Sequence, residues 1–109
     1  MPQTSTEPFA PLGRMSEVGF NILVALANAP KHGYEMLLAI EQQTGSQPGP
    51  GTLYAAIAAL EERRWIEPIA TDDPRRPYQI TPDGQRVLHL RLAALRAETR
   101  LATSRLADA

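Results

Sequence analysis

Cysteine is absent from the 109 residues. That excludes a disulfide framework and any thiolate metal site, and it suits a reducing compartment such as the cytoplasm. Histidine is scarce. His32 and His89 are the only two, on separate predicted helices and without HxxxH or HxxE spacing, so no helical zinc site is expected. A carboxylate pair is missing as well. Glu61 and Glu62 are adjacent, so on a helix they point to different sides. Gly49 and Gly51 lack the lysine that follows in a phosphate-binding loop. Together these gaps argue against an enzyme and against any bound cofactor or metal. No apolar run nears the roughly 18–20 residues of a membrane span, so no membrane partner is expected. The opening stretch, MPQTSTEPFAPLG, has no basic segment followed by an apolar one, so no secretory signal is read. Being rich in Pro, Thr and Ser, residues 1–14 read as a flexible arm. An excess of positive charge is lacking too: the formal net charge is −1. Any nucleic-acid site must then be a local patch on a nearly neutral body.

What is present is enough apolar material, 43%, for one small core. A first helix is expected from about Ser16 to Ala29, with Ser16 as cap, Glu17 at the positive end of its dipole, and Phe20, Leu23 and Ala27 on one stripe. A second runs from about Gly33 to Gln43, with Met36, Leu37 and Ile40 inward. The stretch TGSQPGPG then breaks the chain. A third helix is expected after Thr52 as cap, with Leu53, Ile57 and Leu60 on a core stripe, ending near EERR. Trp65 to Thr71 and Tyr78 to Thr81 read as a short hairpin whose tip is the charged TDDPRRP. Thr81 caps a last long helix that starts with Pro82 and extends to about Leu106. Three short helices followed by a hairpin form the winged helix-turn-helix plan, in the mainly α (α+β) class. Residues 15–81 make that unit, and residues 82–109 are read as a dimerisation helix.

The third helix, PGPGTLYAAIAAL, has no basic residue of its own. As a recognition helix it has two assets. Small side chains at Ala55, Ala58 and Ala59 allow close approach to a duplex, and alanine can touch a thymine methyl. Its N-terminus offers free N–H groups and a positive dipole end to a phosphate, beside the hydroxyls of Thr52 and Tyr54. An alanine-rich helix is also ordinary packing material, so these residues alone leave both readings open.

HGYEMLLAIEQQTG, the run Gly51-Thr52-Leu53-Tyr54, LEERRWIE and YQITPDGQRVL, in this order, resemble the PadR family of regulators, named for control of phenolic acid decarboxylase. The resemblance covers about Phe20 to Leu106, and the single long C-terminal helix is similar to the family's small-size branch. It implies a homodimeric winged-helix regulator, usually a repressor, that binds double-stranded operator DNA and is released by a small molecule or another signal. Carried onto this chain, it implies that Tyr34 lies near the DNA backbone, that Thr52 and Tyr54 open the recognition helix, and that Arg75 and Arg76 form the basic wing. Two positions depart from the pattern. Arg64 stands where the family often has glycine, and Pro77 where an aromatic or basic residue usually precedes Tyr78.

The candidate DNA contacts are therefore Lys31, Tyr34, Thr52, Tyr54, Ala55, Arg64, Arg75 and Arg76. In the long helix, Leu88, Leu92, Leu95, Thr99, Ala102 and Leu106 recur in alternating steps of four and three, a seam of heptad type. With Phe20 and Leu23 of the first helix it is expected to build a two-fold dimer, leaving Arg91, Arg96, Arg100 and Arg105 outside. The resemblance also implies a small-molecule effector site where the long helices meet their partners' first helices, a place where this chain offers Leu88, Leu92 and Leu95. The competing reading is a winged helix that keeps its dimer helix and binds protein instead of DNA. The weak net charge, Arg64 and Pro77 favour it.

Overall fold

Side-chain caps decide where three of the four helices begin. The computed structural model describes residues 15–109, so the N-terminal arm lies outside the described residues. Helix α1 (Glu17–Leu26) starts where the Ser16 Oγ accepts the Gly19 N–H at 2.9 Å, with Glu17 in its first turn. It stops short of the expected Ala29, and Ala27 to Ala29 form a bend. The Lys31 ammonium turns back over this end, donating to the Ala25 carbonyl at 2.6 Å and to Asn28 Oδ1 at 3.1 Å. A cation there satisfies carbonyls that the ended helix leaves open. Helix α2 (Gly33–Thr44) is capped at His32, whose N–H donates to the Glu35 carboxylate at 3.0 Å. It closes at Gly45, which takes the left-handed conformation with φ of 88°.

Helix α3 (Pro50–Glu62) differs at its start. Its cap is Gly49 and its first residue is Pro50. Thr52, expected as the cap, instead lies in the first turn, because a proline is pre-set for the first helical position and the helix starts at Pro50, three residues earlier than expected. At its other end the Trp65 N–H donates to the Leu60 carbonyl at 3.1 Å and the Arg64 N–H to the Glu61 carbonyl at 3.0 Å. This paired closure needs a left-handed residue, and Arg64 supplies it with φ of 61°. For an L-residue that conformation costs about 1–2 kcal/mol.

Strands β1 (Ile66–Pro68) and β2 (Tyr78–Ile80) pair antiparallel, with Ile66 opposite Ile80 and Pro68 opposite Tyr78. Pro77 has no N–H and stands just before β2, where none is needed; its carbonyl accepts from the Ile69 N–H at 2.9 Å. A third rung joins this wing to the body. Lys31 and Tyr78 exchange backbone hydrogen bonds of 3.0 and 2.9 Å. Helix α4 (Pro82–Ala107) begins at Thr81, whose hydroxyl accepts the Gly84 N–H at 3.0 Å and donates to the Arg64 carbonyl at 2.7 Å. A Cβ on Gly84 would collide with the Trp65 carbonyl and the Ile80 side chain, so only glycine lets α4 pack this closely on the wing.

The core lies around α1, which packs against α2, α3, α4 and β2. Ile22, Leu23, Leu26, Met36, Ile40, Leu53, Leu60, Ile66 and Val87 are fully buried. Each such side chain stabilises the fold by about 1.5–3 kcal/mol through lost apolar exposure. Trp65 is buried as well and joins the wing to this core, under the Arg63 guanidinium. The result is a winged helix-turn-helix with a long C-terminal helix.

Three expectations for the dimer seam need correction. Leu23 is fully buried and Leu88 nearly so within the chain's own core, so neither is a surface for a second chain. Arg91, expected on the outer face, lies over the Phe20 ring at 5.1 Å, with its Nε buried and without a hydrogen-bond partner among the described residues. The Phe20 face attracts a guanidinium that heptad counting alone places outside.

Candidate nucleic-acid interface

Along α3, Leu53, Ala56, Ile57 and Leu60 face the core, and Gly51, Thr52, Tyr54, Ala55 and Ala58 are exposed. The 3.6-residue period separates the two sets cleanly. The exposed set is small in its middle and polar at its N-terminal end. That end has no capping side chain, because Gly49 has none to offer. Pro50 has no N–H, and Leu53 is the first residue to donate within the helix, to the Gly49 carbonyl at 2.9 Å. The N–H groups of Gly51 and Thr52 are left without partners among the described residues. Each of the other three helices has a side chain accepting an N–H at its start.

Tyr54 is 58% exposed and Tyr34 63% exposed, so neither ring is core. Tyr54 lies across the start of α2, and a Cβ on Gly33 would run into its ring. The HGYE and GTLY stretches are thus two sides of one contact: Gly33 makes room and Tyr54 fills it. Sequence reading missed this role of Gly33, because the contact joins residues from different helices. On the far side of α3, a groove of about 480 Å3 runs along Met15, Gly19, Thr52, Ala55 and Ala59.

The basic candidates divide into held and unheld groups. The Lys31 ammonium is taken up by the end of α1, which leaves it poorly placed for a phosphate. Arg75 is paired with Asp73. Its Nε lies 3.0 and 3.1 Å from the two carboxylate oxygens, and its Nη2 lies 2.8 Å from Oδ2. Hydrogen bonds from the Arg75 side chain first, and then from its backbone, lower the Asp73 carboxyl to about 2. The signal for this pair was in the sequence. Asp-Pro is a strong turn opening, and an aspartate there bonds backbone two residues on. The Arg75 N–H does donate to Asp73 Oδ1, at 2.9 Å.

Arg76 follows in the left-handed conformation, with φ of 56°, and its side chain makes no hydrogen bond or ion pair with a described residue. Arg64 is exposed and left-handed too. The only two non-glycine residues with positive φ among those described are therefore both candidate DNA contacts. Tyr78 supports the wing from beneath: its hydroxyl donates to Glu61 Oε1 at 3.4 Å, and burial first, then the Glu61 charge, raises its phenol.

Of the residues expected to line an effector pocket, Leu88 belongs to the core, and Leu92 and Leu95 lie half-buried farther along α4. Among the described residues no three His, Cys, Asp or Glu side chains gather as metal ligands, and no helix is long and apolar enough to cross a membrane.

Known proteins share this arrangement. A 75-residue stretch, 69% of the chain, is 40% identical to an uncharacterised 37.1 kDa protein in transposon TN4556 of Streptomyces fradiae, and the chain spans 22% of that protein's length. A transcriptional regulator from Clostridium thermocellum is 25% identical, with a TM-score of 0.69 over 80% of this chain and 90% of its own. A PadR family transcription regulator from hypervirulent Clostridium difficile has the same fold at 19% identity, with a TM-score of 0.73 over 84% of this chain and 99% of its own. Residues 22–90 match the model of the transcriptional regulator PadR-like family. That span runs from α1 through α3 and the wing into α4, and the family is one of regulators, not enzymes. The chain belongs to the PadR-like family of transcriptional regulators.

Proposed function

We propose that the chain is a cytoplasmic repressor that binds double-stranded operator DNA as a homodimer and is released by a small molecule or another signal. The exposed face of α3 carries the DNA reading. It combines small side chains, two unpartnered N–H groups at its start and two exposed tyrosines beside it, as a helix entering the major groove requires. Thr52 and Ala55 would meet base edges, Tyr54 and Tyr34 the flanking backbone, and Arg64 and Arg76 phosphates. Two arginines in left-handed positions that glycine fills at no steric cost support those roles, because strain of this kind persists where a side chain is needed. Leu92, Leu95, Ala102 and Leu106 would pair with a second copy, which sets two half-sites about one helical turn apart or a multiple of it. The release step rests on the family likeness alone.

The competing reading, a protein-binding winged helix, draws on the net charge of −1. One set of measurements separates them. Duplexes selected from random DNA should bind with an affinity that falls steeply with salt. Arg64→Gly and Arg76→Gly should each weaken binding to every sequence alike and lower the salt slope by about one. Both variants should unfold no more easily than the parent, and at best about 1 kcal/mol less easily, because glycine relieves the left-handed strain. Unchanged binding in both would remove the DNA contacts assigned here. An absence of binding by the parent chain would favour the protein-binding reading.

A further inference from the structure

We infer that Asp73 is an internal rival of DNA phosphate: its carboxylate holds the Arg75 guanidinium back from the duplex and so sets the wing's share of the affinity. The inference rests on the DNA-binding reading above and concerns how strongly the wing takes part.

Arginine recognises phosphate through a planar fork of N–H donors, and a carboxylate offers the fork the same pair of acceptors. Asp73 occupies that fork. Nε and Nη2 of Arg75 both face its oxygens, at 3.0, 3.1 and 2.8 Å. The carboxylate is not a loose surface group that met an arginine by chance. Its Oδ1 also accepts the Arg75 backbone N–H at 2.9 Å. The Asp73 N–H donates to Thr71 Oγ1 at 3.2 Å, and the Asp73 carbonyl accepts the Arg76 N–H at 3.3 Å. The turn therefore fixes where the carboxylate points, and Arg75 answers it. His32, the cap of α2, and Glu35 in its first turn face the same pair more distantly, and Asp72 is adjacent in the chain.

Arg75 remains 66% exposed, so its pair is screened by water. A phosphate can displace Asp73, but the displacement is a cost that Arg76 does not carry. The wing thus has one arginine held in reserve and one free. The Arg75 hydrogen bonds lower the Asp73 carboxyl to about 2, so near neutral pH it is charged and this restraint is not a pH switch. Its lever is ionic strength and local phosphate density.

The test uses the full chain and a duplex of mixed sequence, titrated at several salt concentrations. Asp73→Asn keeps an oxygen for the Arg75 N–H and so keeps the turn, which thermal unfolding checks. It should tighten binding about three- to tenfold and steepen the salt slope by about one. Arg75→Ala alone should change affinity less than about twofold, because that arginine contributes little while held. In the double variant the gain should vanish. Binding that is unchanged or weaker in Asp73→Asn would overturn the inference, as would a gain that survives in the double variant, since the cause would then be repulsion between Asp73 and DNA. If the parent chain binds no duplex at low salt, the DNA-binding reading itself falls. If the parent binds and the Asp73 variants behave otherwise than stated, only the rivalry falls.

Discussion

Up to Leu95, α4 is held by its own chain: Gly84 lies against Trp65, Val87 and Leu88 are in the core, and Leu92 and Leu95 are half-buried. From residue 96 to residue 109 every position is exposed, and the apolar ones include Leu101 at 50% and Leu106 at 77%. The contrast separates two sources of helicity. The first half is helical because packing requires it, and its glycine, a poor helix former, is kept for a close approach. The second half has good formers such as Ala, Leu and Arg, yet an isolated helix of that length is marginal in water. Leu106 gains little from the chain it belongs to, which is why the proposed dimer assigns it to a second copy.

The largest test of this contrast is Leu88→Ala. It should lower unfolding stability by about 2–4 kcal/mol, seen as a drop of about 10 °C or more in the thermal midpoint. A change below about 1 kcal/mol would show that Leu88 is not core. Gly84→Ala comes next, and its sign is informative. If propensity ruled the first half, alanine would stabilise by about 1 kcal/mol. The contact with Trp65 predicts instead a loss of about 1–3 kcal/mol in denaturant unfolding. The smallest effect is expected from Leu106→Ala. In dilute chains it should shift stability by less than about 0.5 kcal/mol. In sedimentation the same variant should weaken self-association about tenfold, as expected for removing an apolar anchor from an interface. A large loss in dilute chains would mean that the second half packs on its own body.

Much of the fold can be read from local chemistry. Ser16 and Thr81 cap as their positions predict, Pro82 opens α4, and the Leu53, Ile57 and Leu60 stripe faces inward. Local rules also went astray where two of them competed. Thr52 has a capping side chain, but Pro50 fixes the helix start before Thr52 can act. Heptad spacing alone does not distinguish Leu88, buried by its own chain, from Leu106, exposed, because spacing carries no information about where the body ends. The candidate site is outlined in the sequence by α3 and the charged hairpin tip. Its working details join distant residues: Gly33 under Tyr54, Lys31 at the end of α1, and Tyr78 against Glu61. No periodicity in a single sequence encodes such meetings. The Asp73 and Arg75 pair is the exception, being local and announced by the proline between them.

The rung between Lys31 and Tyr78 has a mechanical consequence. Because Tyr78 stands opposite Pro68 in the hairpin and gives both its backbone N–H and its carbonyl to Lys31, in the link between α1 and α2, the hairpin cannot swing as a hinged flap without breaking both backbone bonds to Lys31. Any signal that loosens the α1 to α2 link would therefore be felt at the hairpin as a change of pose, and the two move as one lever.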